Sequence, residues 1–240
     1  MSDRLKGRIA LITGASRGLG KAIALAYARE GAQLLLLASD ATQLENVDDQ
    51  VRQLGGEALL IPYDLSNWMG ISHLTQHIHE KFGRLDILVG NAAQNSVLSP
   101  VTHGTPEEWE RVMRVNVLAN WALIRAFDPL LRASPSGRAI FTTCSPQNFT
   151  LPYAQAYWGA YFSSKAALES LVLTYAQEVE HTQLRVNLIN PGPLRTHLRA
   201  LAFPGEDPLS LNHPDEATPL FVDLACADYA HHGQVVMGTR

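Results

Sequence analysis

The sequence predicts a single α/β domain over residues 1–240, a doubly wound parallel sheet of about seven strands with helices on both faces. Short apolar runs alternate with amphipathic segments along the whole chain, as a parallel sheet with crossover helices requires. A glycine-spaced turn, TGASRGLG, separates the first apolar run from the first amphipathic segment. A length of 240 residues suits one domain with a sizeable core.

The apolar runs predict strands over Arg8–Thr13, Gln33–Ala38, Ala58–Tyr63, Leu85–Gly90, Arg138–Thr143, Arg185–Ile189 and Gln234–Met237. The amphipathic segments predict helices over Leu19–Glu30, Thr42–Leu54, Asn67–Phe82, Pro106–Leu131, Ala160–His181 and Asp215–Asp228. One helix start is especially clear, because Thr105 can cap it, proline suits its first turn and two acidic residues follow. Repetition of this kind is typical of a Rossmann-like sheet.

Composition and charge exclude several classes of protein. The formal net charge is −4, and no basic stripe of the kind that favours nucleic-acid binding is visible. No apolar stretch approaches the ~20 residues of a membrane span, and the first residues, MSDRLKGR, lack the apolar region of a secretion signal. Cys144 and Cys226 are too few for a disulfide scaffold. We therefore expect a cytoplasmic protein that acts on a small molecule, with no nucleic-acid or membrane partner.

The glycine-spaced turn favours a site for a phosphorylated dinucleotide. Its glycines let the backbone turn tightly and approach a pyrophosphate, and the helix that follows directs its free amides at that charge. The pattern alone is a weak signal, and a glycine-rich turn without a ligand is the alternative. Its place between a strand and a helix favours the binding site. The candidate residues are Gly14, Ser16, Arg17, Gly18, Leu19 and Gly20.

Tyr161 and Lys165 stand four residues apart in YFSSK and therefore share one face of a predicted helix. A free tyrosine has a pKa of about 10, so lowering it by ~2–3 units requires roughly 3–4 kcal/mol. An ammonium a few ångströms away in a partly dry cleft can supply an effect of that size. We predict that Tyr161 exchanges a proton with a substrate oxygen and that Lys165 lowers its pKa. Ordinary surface packing is the alternative.

Further motifs follow in a characteristic order: the spacing Gly-x-x-x-Gly-x-Gly, Asp64, GNAAQ at 90–94, Asn116, the Tyr161/Lys165 pair and NPGPLRT at 190–196. Together they resemble the short-chain dehydrogenase/reductase family, over most of the chain, and in particular a poorly characterised bacterial branch of it. The resemblance implies an oxidoreductase that interconverts a carbonyl and an alcohol by hydride transfer with a nicotinamide cofactor.

The same resemblance assigns roles to individual positions. Lys165 also binds the nicotinamide ribose, and Asn116 holds a water on the proton path, although a structural hydrogen bond to the backbone would explain a buried asparagine equally well. Further cofactor contacts are implied for Asp64, Leu65, Asn91, Ala92, Pro191, Gly192 and Thr196. Gly90 and Ala93 depart from the family's usual asparagine and glycine. Both residues are small, so the backbone path is expected to persist with fewer side-chain hydrogen bonds.

The residues after the second predicted strand favour NADP(H) over NAD(H). NAD binding normally needs a carboxylate there, and the family's position for it is Ala38. Arg17 can reach a 2′-phosphate and Ser39 can donate to it, although Arg17 could equally be a solvated surface charge. Asp40 would repel a phosphate if it pointed inward; a helix cap is its alternative role.

The family places a substrate-polarising serine at the end of the fifth strand, where this chain has Cys144 followed by Ser145. We expect Ser145 to fill the role, since a hydroxyl donates and accepts well whereas a thiol donates weakly. Cys144 and Asn148 are the other candidates. The expected catalytic set is therefore Asn116, Ser145, Tyr161 and Lys165. If no residue polarises the carbonyl, the alternative function is a nucleotide-binding or scaffolding relative with weakened chemistry.

Three expectations concern the rest of the chain. Residues 193–219 are too long for a simple connection and are interpreted as a substrate lid, with an irregular surface excursion as the alternative. By the resemblance, the Pro106–Leu131 and Ala160–His181 helices form the interface of a homodimer or homotetramer. His73 and His77 could share a helix face, but without a nearby carboxylate–cysteine set we expect a solvated face and no metal site.

Overall fold

The computed structural model describes residues 3–144 and 155–238. Within these ranges one sheet contains seven parallel strands: β1 (Ile9–Thr13), β2 (Gln33–Ala38), β3 (Ala58–Pro62), β4 (Ile87–Gly90), β5 (Arg138–Thr142), β6 (Arg185–Asn190) and β7 (Val235–Met237). Their order across the sheet is β3-β2-β1-β4-β5-β6-β7. The predicted doubly wound sheet is confirmed, and the strand ends differ from the predicted ones by at most two residues.

In the described part of the chain, eight α-helices connect these strands: α1 (Gly18–Arg29), α2 (Ala41–Gln53), α3 (Ile71–Phe82), α4 (Pro106–Met113), α5 (Ala119–Arg132), α6 (Gly159–Glu178), α7 (His197–Ala202) and α8 (Pro214–Ala225). Thr105 caps the start of α4, as predicted, and it does so in a capping box, in which Thr105 and Glu108 bond each other's backbone amides. Among these helices, none combines the length and the apolar composition needed to cross a bilayer.

The sheet separates two hydrophobic cores. Ala10 and Ile12 of β1 pack on one side with residues of α1, α2 and α8. Ile9 and Leu11, which alternate with them, pack on the other side with residues of α3, α5 and α6. Because successive side chains of a strand point to opposite faces, an uninterrupted apolar run such as IALIT is the pattern of a strand covered on both sides.

The predicted helix Pro106–Leu131 is not continuous, which corrects the expectation. A π-helical turn at Arg114–Leu118 separates α4 from α5. Such turns arise from an extra residue in the helix and are frequent at functional sites. Asn116 lies inside the turn, and its side chain bonds the backbone of Gln94 in the loop after β4. This contact joins distant parts of the chain, so the spacing of apolar residues along the helix could not predict it.

The segment 193–219 contains one helix that the sequence interpretation did not anticipate and the start of another that it predicted from Asp215. Helix α7 occupies His197–Ala202, and α8 already begins at Pro214, so the excursion proper ends near His213. Its two ends are held together, since Leu194 and Asn212 form a parallel β-bridge and the Arg195 amide donates to the Asn212 carbonyl at 2.9 Å.

Candidate active site

The predicted site residues that are described lie largely at one edge of the sheet. In a parallel sheet all carboxyl ends meet at the same edge, and ligands bind where neighbouring strands lead to opposite faces. Here β1 lies between β2 and β4, so the chain after β1 and the chain after β4 diverge at this point. The glycine turn follows β1, Asn91 follows β4, and Pro191 follows β6.

The glycine turn is packed against the loop after β4 by contacts that side chains would prevent. Gly14 and Gly18 have φ of +65° and +54°, which glycine adopts without strain. A Cβ at Gly20 would overlap the Gly14 carbonyl oxygen and lie 2.7 Å from Asn91 Nδ2. Asn91 Nδ2 in turn donates to the Thr13 carbonyl at 3.0 Å. The glycine turn and the loop after β4 therefore form one closely packed unit.

Thr13 holds this unit together, and the sequence interpretation missed it. Its hydroxyl donates to Val89 O at 3.1 Å and accepts from the amides of Asn91 and Ala92 at 3.0 and 3.1 Å. The residue stands at the first position of TGASRGLG, so its place beside the turn was the available signal. The predicted cofactor residues Asn91 and Ala92 are thereby fixed next to Gly14.

The N-terminus of α1 suits a phosphate group. Arg17 is its N-cap residue, and no side chain caps its first amides, so these donors are available to an anion. Ser16 and Leu19 are buried beneath the turn, whereas Arg17 is exposed. A Cβ at Gly18 would lie 3.5 Å from Thr196 Cγ2, which places the loop after β6 directly across from the turn.

The predicted residues beyond β2 and β3 lie in short turns at the ends of these strands. Asp40 caps α2 by accepting from the Gln43 amide at 3.0 Å, which agrees with the cap interpretation. Ser39 is exposed beside it, and Ala38 ends β2. Asp64 is exposed and accepts from the Ser66 amide at 2.8 Å, and Leu65 is buried.

The loop after β6 holds the remaining predicted cofactor residues. Gly192 has a φ of +77° and its amide donates to Asn190 Oδ1 at 3.1 Å, which turns the chain after Pro191. The Thr196 hydroxyl accepts from the Arg199 amide at 3.2 Å and so caps α7. Its hydroxyl hydrogen is not used in that bond, so Thr196 retains a donor, and its methyl group is the part that lies next to Gly18.

Tyr161 and Lys165 meet on the first turns of α6. Both side chains are buried, at 8% and 2% exposure, and Lys165 Nζ lies 5.6 Å from the centre of the Tyr161 ring. Lys165 Nζ donates to the carbonyl of Thr142 at 2.9 Å, so the end of β5 anchors the ammonium. The surface-packing alternative for this pair is therefore wrong.

The pKa of Tyr161 moves in the direction opposite to the predicted one. Burial raises it well above its ordinary value, and the neighbouring Cys144 thiol acts in the same direction, by charge and by a hydrogen bond. Burial also lowers the pKa of Lys165, against a smaller opposing effect of Cys144. For the protein groups taken alone, loss of hydration dominates the pKa of Tyr161. A lowering of that pKa by Lys165 stays a prediction.

Asn116 is fully buried and connects three parts of the site. Its Oδ1 accepts from the Gln94 amide at 2.8 Å, and its Nδ2 donates to Gln94 O and to Ser164 Oγ, both at 2.9 Å. The Ser164 hydroxyl then donates to the Tyr161 carbonyl at 2.6 Å. Ser164, which the sequence interpretation missed, is fully buried and lies three residues after Tyr161, the spacing at which serine bonds back within a helix.

Of the three candidates for the substrate-polarising position, Ser145 and Asn148 lie outside the described residues. Cys144 is described, and its thiol interacts with the Tyr161 hydroxyl by a hydrogen bond. Burial raises the pKa of Cys144 to about 11, although Lys165 and the bond to Tyr161 oppose that rise.

An aromatic cluster surrounds Tyr161. Trp158 makes an edge contact with the Tyr161 ring at 5.6 Å between centroids, and its other neighbours are Phe162 at 5.2 Å and Phe203 at 5.5 Å. Ala202 and Leu198 of α7 belong to the same apolar cluster. Segment 193–213 therefore lies against the candidate catalytic tyrosine.

Comparison with known proteins agrees with this geometry. A family model described as short chain dehydrogenase matches residues 8–207. The chain is 37% identical over 225 residues to the uncharacterized oxidoreductase YciK of Escherichia coli K12, covering 92% of this chain and 87% of YciK.

Solved structures show the same relationship. A short chain dehydrogenase from Pseudomonas syringae superposes with a TM-score of 0.93 at 37% identity, covering 100% of this chain and 97% of that one. A short chain dehydrogenase from Escherichia coli CFT073, crystallised in complex with NADPH, has a TM-score of 0.91 at 35% identity, with both chains covered completely (100%). The predicted likeness to a poorly characterised bacterial branch is confirmed by these relatives. The chain belongs to the short-chain dehydrogenase family and is an oxidoreductase of that family.

Proposed function

We propose that this protein is an NADP(H)-dependent oxidoreductase that interconverts a carbonyl and an alcohol, with Tyr161 as the acid–base group. The observation that carries the proposal is the buried meeting of Tyr161 and Lys165, with Nζ 5.6 Å from the ring centre, at the edge where the glycine turn and Thr196 face each other. A group for proton transfer and a place for the cofactor are therefore close together, as the reaction requires.

Residues of this chain would hold the dinucleotide along the sheet edge. The uncapped amides of α1 and the close-packed glycines would receive the pyrophosphate. Asp64, Leu65 and Asn91 would border the adenosine side, and Pro191, Gly192 and Thr196 the nicotinamide side. When bound, NADPH supplies the hydride for the carbonyl carbon.

Preference for the phosphorylated cofactor rests on three residues. Ala38 offers no carboxylate to ribose hydroxyls, and the carboxylate of Asp40 is engaged in capping α2. The guanidinium of exposed Arg17 forms no hydrogen bond or ion pair with the described residues, so it is available to a 2′-phosphate. The NADPH and NADP complexes of the structural relatives from Escherichia coli CFT073 and Shigella flexneri 2a support this assignment.

The protonation state of Tyr161 favours reduction of a carbonyl. Because burial raises its pKa, the phenol keeps its proton throughout the neutral range. A protonated phenol donates to a carbonyl oxygen that is becoming an alkoxide, which is the acid's role in reduction. Asn116 and Ser164 fix the backbone from which Tyr161 acts.

The surroundings of Tyr161 favour an apolar substrate, with the segment 193–213 as a lid. Trp158, Phe162, Phe203 and Ala202 enclose the phenol in an apolar cluster. Arg199, a charged residue of α7, stacks on the ring of Phe203 at 3.8 Å and forms a two-pronged ion pair with Glu206, so its charge is already neutralised. An aromatic or alkyl ketone or aldehyde suits this lining better than a charged keto acid.

We also propose a cytoplasmic homo-oligomer, dimer or tetramer. Trp121 of α5 is 36% exposed and contacts Trp68 at 5.7 Å, and neighbouring Met69 is 72% exposed. Exposed large apolar side chains of this kind support an interface on that side of the molecule.

A second function, a nucleotide-binding relative with weakened chemistry, is favoured by one observation. The Cys144 thiol is hydrogen-bonded to the phenol that the reaction would use, and a thiol is a poor donor to a carbonyl. Under this alternative, NADPH binds but no carbonyl is reduced.

The test is oxidation of NADPH with a panel of aromatic, alkyl and charged ketones and aldehydes. We expect Tyr161→Phe to lower kcat by ~100-fold or more while NADPH affinity, followed by cofactor fluorescence, stays within about twofold, because general acid catalysis contributes ~10²–10⁴-fold. Tyr229→Phe, at a tyrosine remote from α6 in sequence, is the matched control. Unchanged turnover in Tyr161→Phe would refute the acid–base assignment. Binding without turnover of any carbonyl would favour the second function.

A further inference from the structure

A second buried asparagine, Asn120, lies one turn beyond Asn116. It is 2% exposed and lies in the first turn of α5, among the buried residues of that helix. Burying a side-chain amide without hydrogen bonds costs free energy, so its placement calls for partners. Its Nδ2 donates to the backbone carbonyl of Asn116 at 2.9 Å. The amide is therefore directed at the residue that links the loop after β4 to α6.

The other end of the Asn120 amide lies against Gly90 at the end of β4. A Cβ at Gly90 would lie 2.5 Å from Asn120 Oδ1 and would overlap the ring of Phe141. Any side chain at position 90 would thus displace Asn120. Gly90 is one of the two departures from the family pattern, which usually has asparagine there. The end of β4 therefore lacks the asparagine amide, and the amide of Asn120 in α5 occupies the space beside Gly90.

Asn120 begins a chain of buried hydrogen bonds that ends at the catalytic helix. Asn120 Nδ2 donates to Asn116 O, Asn116 Nδ2 donates to Ser164 Oγ, and Ser164 Oγ donates to the Tyr161 carbonyl, at 2.9, 2.9 and 2.6 Å. Asn116 lies in the π-helical turn, where backbone bonding is less regular than in an α-helix. The hydrogen bond from the Asn120 side chain therefore helps to hold the Asn116 carbonyl in place.

We propose that Asn120 is a positioning residue, which together with Gly90 holds Asn116, and through Ser164 the backbone of Tyr161, in register with the cofactor edge. The proposal rests on the function proposed above, in which Tyr161 is the proton donor. It predicts a defect in the chemical step more than in cofactor binding, because the chain of hydrogen bonds ends at the Tyr161 backbone, whereas Lys165 is held separately by the Thr142 carbonyl.

The first test is kinetic. We expect Asn120→Ala to lower kcat by about 3- to 10-fold, the loss of one neutral hydrogen bond, with NADPH affinity within about twofold of wild type. Rates are normalised to the amount of NADPH-binding protein, so a loss of folded molecules does not count as a loss of kcat. Asn120→Leu, which fills a similar volume without the Nδ2 donor, is expected to lower kcat by a similar factor, so that loss of the hydrogen bond is separated from loss of packing.

The second test is a double-mutant cycle by thermal unfolding. Gly90→Ala alone places a methyl against both Asn120 and the ring of Phe141, so we expect a lower Tm. In the Asn120→Ala background only the overlap with Phe141 remains, so the same change lowers Tm by less. Asn46→Ala, at an exposed residue of α2, is the control for loss of an asparagine.

The two tests separate this proposal from the proposed function. Wild-type kcat in Asn120→Ala, in an enzyme that reduces carbonyls, or additive Tm losses in the cycle would overturn the positioning role. An inactive wild-type protein would overturn the proposed function, and the positioning role with it. A lower kcat in Asn120→Ala together with a wild-type kcat in Asn120→Leu would assign the effect to packing and contradict the role of the hydrogen bond.

Discussion

Replacing Gly20 with alanine tests how tightly the glycine turn fits the loop after β4. The new Cβ would overlap the Gly14 carbonyl oxygen and lie 2.7 Å from Asn91 Nδ2. The first of these neighbours is backbone, so it cannot rotate away as the end of a flexible side chain can. Relief of the overlap therefore requires the turn between β1 and α1 to change shape, which moves Gly14 relative to Asn91.

The expected loss can be worked out from opposing terms. Alanine inside a helix gains ~1 kcal/mol over glycine in intrinsic propensity. Overpacking costs ~1–3 kcal/mol, and occasionally more, and the backbone neighbour places Gly20 at or above the top of that range. The net change is a loss of ~2 kcal/mol in the free energy of unfolding, which corresponds to a Tm lower by ~4–8 °C in a domain of this size. Because Gly14 and Asn91 must move, we also expect NADPH affinity to fall by about tenfold, the equivalent of ~1.4 kcal/mol.

The assay is thermal unfolding with and without NADPH, together with a fluorescence titration of the cofactor. Gly205→Ala is the matched control, since no described atom lies within 4 Å of a Cβ at that position and its φ is not positive. The control should leave Tm and affinity unchanged. A Gly20→Ala protein with the Tm and NADPH affinity of wild type would refute the close packing of the glycine turn against the loop after β4.

Three further outcomes are expected. Arg17→Ala should weaken NADPH binding by ~10-fold or more, the scale of a charge-assisted hydrogen bond, and leave NADH binding unchanged; equal effects on both cofactors would contradict the 2′-phosphate contact. In a Cys226→Ser background, alkylation of Cys144 by iodoacetamide at neutral pH should be ~100-fold slower than that of an unperturbed thiol. Burial raises the Cys144 pKa from 9.0 to about 11, so the thiolate fraction is reduced and the rate should climb until pH reaches that value. Glu206→Gln should change the free energy of unfolding by less than ~1 kcal/mol, as for a partly exposed ion pair, yet speed proteolysis within 193–213; unchanged cleavage would show that the Arg199–Glu206 pair does not hold the lid.

The sheet could be predicted from the sequence because its signal is local and repeated. Runs such as IALIT and LLLLA are apolar at nearly every position, which distinguishes a strand covered on both faces from one with a solvated side. The order of the motifs then placed the glycine turn, Asn91 and Thr196 at one edge, because parallel strands share the direction of their carboxyl ends. The close approach of Gly18 to Thr196 follows from that topology.

The remaining features depend on contacts between distant parts of the chain. The interruption at Arg114–Leu118 accompanies the bonds between Asn116 and Gln94, and nothing in the periodicity of VMRVNVLANWALI distinguishes a π-turn from a continuous helix. The direction of the Tyr161 pKa shift depends on burial by Trp158 and α7, which no spacing within YFSSK reveals. Helix α7 escaped prediction because its six residues are too few to establish an amphipathic period.

The closure between Leu194 and Asn212 has a consequence for engineering. The β-bridge and the Arg195–Asn212 bond bring the two ends of the excursion together outside the main sheet. Residues 197–211 can therefore be transplanted as a cassette between relatives, with Thr196 left in place. Main-chain bonds, which need no particular side chain, support both ends of the cassette. Such chimaeras would exchange the walls around the phenol while leaving the nucleotide half untouched, and so allow selectivity and turnover to be varied separately.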